Sequence, residues 1–186
     1  MTSSYEGLVF FIKYFKYFFN YLFTKWSERD IIGVVRERSG GISMFFIGTY
    51  NHSLDEKSRV IMPSKLREQL GTKVYINLGL DKCLAVYPVE TFEKIVSKMS
   101  SQNSNDPKVR AYKRTFFANS YQCEIDKQGR IQLTKESLEK CLIKKDVVII
   151  GADDKIEIWD RERYKALEEE NELAYEENAA NLIFGE

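Results

Sequence analysis

Two short stretches of this chain carry the same arrangement of ionisable side chains. Residues 54 to 63 read LDEKSRVIMP and residues 125 to 134 read IDKQGRIQLT. Each sets an Asp four positions before an Arg, Asp55 with Arg59 and Asp126 with Arg130, between apolar neighbours. An Asp at the first position of a tight connection accepts hydrogen bonds from the backbone amides that follow, and so pins the loop. The Arg then leaves the loop from a fixed root at the start of the next strand. Its planar fork of donors fits the O6 and N7 edge of guanine, or two phosphate oxygens. A root already held loses less entropy on contact. Lys57 and Lys127 are expected to occupy the same loop position in the two halves and to add phosphate contacts, which supply affinity and salt dependence but little sequence choice.

An architectural reading stands beside this one. Arg59 could pair with Asp126, and Arg130 with Asp55, across a pseudo-two-fold axis and so hold two halves together. Asp55 and Asp126 themselves read as structural, because a carboxylate facing phosphate repels it. Lys65 and Arg67 are either groove contacts or the solvated face of a helix. Arg110, Lys113 and Arg114 read as a solvated or subunit-facing helix side. His52, the one histidine, reads as a polar residue of a strand rather than a metal ligand.

The elements that must position these groups also come twice. The first half runs through FFIGTYNHSL, the Asp-Arg motif, VIMP, a helical SKLREQL stopped by Gly71, the apolar VYINLGL, a turn at Asp81-Lys82, and CLAVYP. The second runs through FFANSYQCEI, the motif, IQL, a helical TKESLEKCL, VVIIGA, a turn at Asp153-Asp154, and KIEIWD. The offset is 71 residues at the motifs, 73 between Val74 and Val147 and 72 between Tyr87 and Trp159, small drifts of the kind loop-length changes produce. The apolar runs are short, β-branched and bounded by Gly, Asp and Asn, so they predict strands. PVETFEKIVSKM puts Val89, Phe92, Val96 and Met99 on one helical face, and KVRAYKRTFF does the same for Val109, Tyr112 and Phe116. The polar SSQNSNDP between them predicts a loop with a helix start after its Pro. A unit of about 60 residues buries little alone, so two copies are expected to share one barrel-like core around a pseudo-two-fold axis.

Residues 44 to 165 resemble the MraZ family of bacterial transcription regulators. The resemblance lies in MFFIGTYNHSLDEKSR, the second motif DKQGR, the IIG before the second turn and the closing IEIWD. Ser58 departs from it, standing where Gly is common, and Thr134 stands where the first half has Pro63; the Asp and Arg remain in place. The resemblance implies an α+β fold, a β-barrel core of two duplicated AbrB-like halves of swapped-hairpin type with flanking helices. It implies a homo-oligomeric ring that binds double-stranded promoter DNA at repeated boxes before the division and cell-wall genes, in the cytoplasm at the nucleoid. Arg59, Arg130, Lys57, Lys127, Lys65 and Arg67 are the expected DNA-binding residues. No cofactor, metal, membrane or small-molecule substrate is expected.

Composition narrows the rival classes. No Gly-rich phosphate loop, Ser/His/Asp set or metal-ligand cluster is present, which argues against an enzyme. The three cysteines are widely spaced with no C-x-x-C pair, so they read as small core residues of a reduced protein. Net charge is zero, but residues 44 to 165 hold 22 Lys and Arg against 17 Asp and Glu, while seven acids and no base follow Lys165. A mildly basic body thus carries an acidic C-terminal tail at 166–186, which also permits an antitoxin-like protein-binding module. The body divides into halves at 44–105 and 106–165. Residues 1–43 hold ten of the 23 Phe and Tyr residues. Lys13 and Lys16 interrupt their apolar run, which disfavours a membrane span. Apolar residues surround the predicted helix, which disfavours a surface helix. The A/T-rich codon set, with Gly40-Gly41 spaced before Met44, points to a translation start at Met44 and a non-native extension before it.

Overall fold

The computed structural model describes residues 45–184, and the expectation for residues 1–43 lies outside them. The chain first forms β1 (Thr49–Ser53), β2 (Arg59–Ile61), α1 (Ser64–Leu70), β3 (Lys73–Leu78), β4 (Leu84–Pro88) and α2 (Val89–Ser100). It continues with α3 (Pro107–Ala118), β5 (Tyr121–Glu124), β6 (Arg130–Gln132), α4 (Lys135–Lys140), β7 (Asp146–Ala152), β8 (Lys155–Asp160) and α5 (Arg161–Phe184). The order β-β-α-β-β-α therefore repeats, as the sequence predicts.

The two halves are interleaved. One antiparallel sheet runs β1-β7-β8-β4-β3-β5, and β2 pairs with β6 in a separate two-stranded ribbon. The first strand of each half thus lies against the hairpin of the other. Registers match under the repeat offset: His52 faces Val147 as Cys123 faces Val74. Ala85 opposite Glu157 and Val60 opposite Ile131 mark the pseudo-two-fold axis. Only the β3–β4 and β7–β8 hairpins pair within a half; the other four strand pairings join the two copies, which removes the problem of a half too small to bury its own core.

The expected barrel does not close. Within the described residues β1 and β5 end the sheet, and the β2–β6 ribbon folds over its inner face without joining its backbone ladder, although the Gln132 backbone amide donates to Cys123 Sγ of β5 at 3.4 Å. Side-chain burial completes what the backbone leaves open. Val60, Ile131, Met62 and Leu133 come from the ribbon and its continuations, and Leu66 from α1. They bury with Val74, Ile76, Leu84, Ile149, Ile156 and Ile158 of the sheet. All three cysteines are buried and free.

Helix boundaries have local causes. Gly71, at φ 75°, ends α1. Pro63 precedes α1 where Thr134 precedes α4, and the Thr134 hydroxyl accepts from the Ser137 amide at 3.2 Å. Asp106 accepts from the Lys108 amide at 2.7 Å with Pro107 opening α3, the usual cap-then-Pro order. On the outer face of the sheet Phe92 of α2 stacks on Tyr75 at 4.2 Å between ring centroids and on Phe116 of α3 at 5.7 Å. Tyr112, expected on that apolar side of α3, is instead 57% exposed. The acidic stretch differs more from expectation: it continues α5 as helix as far as Phe184. Asp160 starts that helix, its carboxylate accepting from the Arg163 amide at 3.4 Å. No Gly or Pro interrupts residues 161–184, and Glu, Ala, Leu and Lys are good helix formers. Among the described residues no helix is long and apolar enough to cross a membrane.

Candidate nucleic-acid interface

The β2–β6 ribbon brings the two motifs together. Arg59 faces Gln132, Val60 faces Ile131 and Ile61 faces Arg130. Opposed residues of an antiparallel pair point to the same side, and alternate residues share a face. Val60 and Ile131 therefore point into the core, both fully buried. Arg59, Ile61, Arg130 and Gln132 form the outer face.

Each loop is built as its Asp requires. Asp55 Oδ1 accepts from the Lys57 and Arg59 amides, both at 2.9 Å, and Asp126 Oδ1 accepts from the Gln128 and Arg130 amides, again at 2.9 Å. A backbone bond from the Asp55 amide to the Arg59 carbonyl at 2.9 Å closes the first loop, and one of the same length from Asp126 to Arg130 closes the second. The loops also grip the opposite strand. Met62 donates to the Gly129 carbonyl at 2.9 Å and Leu133 to the Ser58 carbonyl at 3.0 Å. Ser58 and Gly129 occupy the same left-handed position, at φ 57° and 77°.

The arginines pair chiefly within their own motifs. Arg59 Nε donates to Asp55 Oδ2 at 2.7 Å with Nη2 at 2.6 Å; Arg130 Nε donates to Asp126 Oδ2 at 2.8 Å with Nη2 at 2.7 Å. Of the two cross-pairs that the architectural reading expects, one is seen, Arg130 Nη1 at 4.0 Å from Asp55 Oδ2. That distance is too long for a hydrogen bond. The side-on grip uses Nε–H and one Nη2–H of the five guanidinium donors, which leaves the end-on edge available. The Asp thus fixes the plane of its Arg while the fork stays free. The hydrogen bond from Arg59 holds the Asp55 carboxyl at about 2, and that from Arg130 lowers Asp126 likewise. Both carboxylates are therefore ionised at neutral pH.

The remaining cations are less evenly placed. Lys57 and Lys127 are exposed in the loops, but they are not counterparts: the hydrogen bonds to the Asp carboxylates match Lys57 with Gln128. The phosphate-suited charge differs by one position because Lys57 is the second residue after its Asp and Lys127 the first. Arg67 reaches from α1 across the second loop. A Cβ at Gly129 would lie 1.7 Å from its Nη1, so the missing side chain there is what seats the guanidinium. Lys65 is exposed on the same helix, held by no ion pair among the described residues. Arg110 and Lys113 lie elsewhere and hold the linker before α3: Arg110 Nη1 donates to the Ser104 and Asn105 carbonyls at 2.9 and 2.8 Å, and Lys113 to the Ser104 hydroxyl at 3.1 Å. His52 sits half-buried in β1, and burial lowers its pKa. No metal-ligand cluster occurs among the described residues.

Two residues of the ribbon face, Ile61 and Gln132, are absent from the expected set. Alternation would have found them, since RVI and RIQ each place one residue on the same side as the Arg. Gln132 Nε2 donates to the carbonyls of Lys57, Ser58 (3.4 Å) and Leu133 (3.1 Å). It therefore ties the first loop to the second strand.

The sequence model of a family described as MraZ protein, antitoxin-like, matches the chain twice in succession, at residues 45–115 and 116–184. A protein of Heliobacterium modesticaldum named transcriptional regulator MraZ is 43% identical over 138 residues, 74% of this chain and 96% of that protein. Proteins of the same name from Finegoldia magna and Pediococcus pentosaceus are 41% and 40% identical over 137 and 138 residues, again 74% of this chain and 96% of each relative.

Proposed function

The chain belongs to the MraZ family, a family of transcriptional regulators and not of enzymes, and we propose that it regulates transcription by binding double-stranded promoter DNA through its β2–β6 ribbon. The observation that carries this reading is the outer ribbon face, where Arg59 and Arg130 each stand on a loop pinned by its own Asp. A two-stranded ribbon fits the width of the major groove. There a buttressed Arg fork suits the O6 and N7 atoms of guanine. Lys57, Lys127, Lys65 and Arg67 surround the face and supply phosphate contacts. Asp55 and Asp126 act as supports.

One chain offers two such loops and a modest positive surplus, which is thin for tight binding. A ring of subunits would repeat the face, and repeated promoter boxes would engage several copies at once at high effective concentration. The target in this reading is the promoter of the division and cell-wall gene cluster, and the site of action is the cytoplasm at the nucleoid. Membrane, cofactor and small-molecule substrate play no part. A second reading, an antitoxin-type protein-binding module, is favoured by the exposed acidic residues Glu168, Glu169 and Glu170 of α5 and by the family description. The duplicated motif gives it no explanation.

Fluorescence anisotropy with duplex from upstream of the gene, against scrambled duplex, tests the proposal. Arg59→Ala and Arg130→Ala, checked for unchanged assembly, should lose the preference for the upstream duplex. Equal binding of both duplexes by the parent protein, or variants that fail only by dissociating, would move the function to the protein-binding reading.

A further inference from the structure

The outer ribbon face is not symmetric. The pseudo-two-fold axis exchanges Arg59 with Arg130, but it exchanges Ile61 with Gln132. Gln132 commits its amide nitrogen to backbone carbonyls of the first loop and of its own strand. Ile61 is 49% exposed, stands directly opposite Arg130 and lies two residues along the strand from Arg59. A lone exposed Ile is ordinary on a protein surface. This one is the apolar member of a four-residue face whose other members are two arginines and a glutamine, on an element anchored by fully buried Val60 and Ile131. Its β-branched side chain is stiff, so little rotamer freedom is lost when it is covered.

We propose that Ile61 is a specificity-determining residue that packs on the C5-methyl group of a thymine, within about two base pairs of the guanine met by Arg130, and so gives the ribbon a direction on its DNA box. The proposal rests on the DNA-binding reading above. The chemistry follows from what the major groove displays. Guanine offers the acceptors that Arg wants, and the thymine methyl is the groove's apolar feature. Ile61 stands directly opposite Arg130, and opposed residues hold their Cβ atoms about 5 Å apart, between one and two base steps of about 3.4 Å. A methyl near the Arg130 guanine is therefore within reach of Ile61. Turning the ribbon about its pseudo-axis leaves an Arg at each Arg position but exchanges the apolar contact for Gln132. A box with thymine on one side only is read in one orientation.

Uracil in place of thymine removes that methyl and nothing else. Each thymine of a bound upstream duplex is replaced in turn, and dissociation constants are measured for the full chain and for Ile61→Val and Ile61→Ala. Both substitutions lie on the exposed face, and circular dichroism checks that they fold. One thymine should respond with a loss of about fourfold, the worth of one buried methyl. Ile61→Val should keep the response and Ile61→Ala should abolish it. Preference for the upstream duplex with no uracil effect above twofold, or with an equal effect in Ile61→Ala, would overturn this assignment alone. Absence of any preference for the upstream duplex would overturn the DNA reading and the assignment together.

Discussion

Nη1 of Arg130 lies 4.0 Å from Oδ2 of Asp55, while Arg59 makes no corresponding approach to Asp126 among the described residues. Asp55 therefore supports one guanidinium by hydrogen bonds and faces the edge of the other. The two loops form one unit, joined further by Met62 on the Gly129 carbonyl, Leu133 on the Ser58 carbonyl and Gln132 on the first loop. Each Arg is aimed by its own Asp, and the pair is leaned toward Asp55.

This arrangement separates orientation from simple charge. If the carboxylates only repelled phosphate, removing one would tighten binding. If they aim the arginines, Asp55→Ala and Asp126→Ala should weaken binding to upstream duplex by at least about tenfold, since a charge-assisted hydrogen bond contributes roughly 1.5–3 kcal/mol. Binding to scrambled duplex should hold steady or rise slightly. Anisotropy titrations on both duplexes at one salt concentration check this. Tighter binding to both duplexes would place the acids in electrostatic opposition to DNA.

The same contacts set an acid limit. The folded-state carboxyl of Asp55 is depressed to about 2, from an ordinary value of 3.8, by Arg59, and Asp126 is lowered by Arg130. A depressed carboxyl stabilises the fold above its unfolded value and loses that contribution as pH falls toward its folded value. The melting temperature should therefore drop between about pH 4 and about pH 2. Asp55→Asn should flatten part of that drop. Thermal melts followed by circular dichroism at pH 5, 4, 3 and 2 measure it. Both groups face solvent, so added salt should shrink the difference.

Gly129 and Ser58 hold equivalent left-handed positions with unequal surroundings. At Gly129 an added Cβ would meet the guanidinium of Arg67 as well as carry the left-handed strain of roughly 1–2 kcal/mol. Gly129→Ala should therefore destabilise by at least that amount and expel Arg67 from the loop. Ser58→Gly relieves strain but frees the unfolded chain, so its net effect should stay below about 1 kcal/mol in either direction. Urea denaturation gives both values. A neutral Gly129→Ala would mean that Arg67 is not seated there in solution.

Much of this was legible before the structure. Asp and Arg four apart announced a pinned loop with an outward fork, Gly71 announced a helix end, and Asp106-Pro107 a helix start. The apolar runs gave strands because β-branched residues bounded by Gly and Asp have few other uses. Strand partners were not legible, since alternation tells which way a side chain points but not what lies beside it. The family resemblance implies swapped hairpins, and the structure supplies the partners, β1 with β7 and β5 with β3. Arg67 over Gly129 needed three dimensions, because nothing in the spacing joins a helix residue of one half to a loop of the other. By charge alone the acidic stretch looks like an appendage. Its lack of helix breakers, which makes it the end of α5, was the better signal.

Stability and recognition should come apart at the ribbon centre. Ile131 is fully buried directly beneath the outer face. Ile131→Ala removes core volume and should cost about 2–5 kcal/mol in urea unfolding. Below the unfolding transition it should retain upstream-duplex preference, because Arg59 and Arg130 keep their Asp supports. Loss of preference in the folded variant would show that the core residue, and not the loop, sets the positions of the arginines.

The loop lysines provide the last test, since their contribution should be blind to sequence. Lys57 and Lys127 are exposed and hold neither carboxylate among the described residues, so each is free to meet phosphate. A phosphate contact releases counterions, and the slope of log affinity against log salt falls by about 1 for each contact removed. Lys57→Ala and Lys127→Ala should each lower that slope by about 1 per binding face and weaken upstream and scrambled duplex alike. Arg59→Ala, by contrast, should cost most on the upstream duplex. Because Lys57 and Lys127 differ by one position in their loops, they need not be equal, and the double variant should lose the sum of the two slopes. A lysine whose removal alters preference while leaving the salt slope unchanged would be reading a base instead of a phosphate.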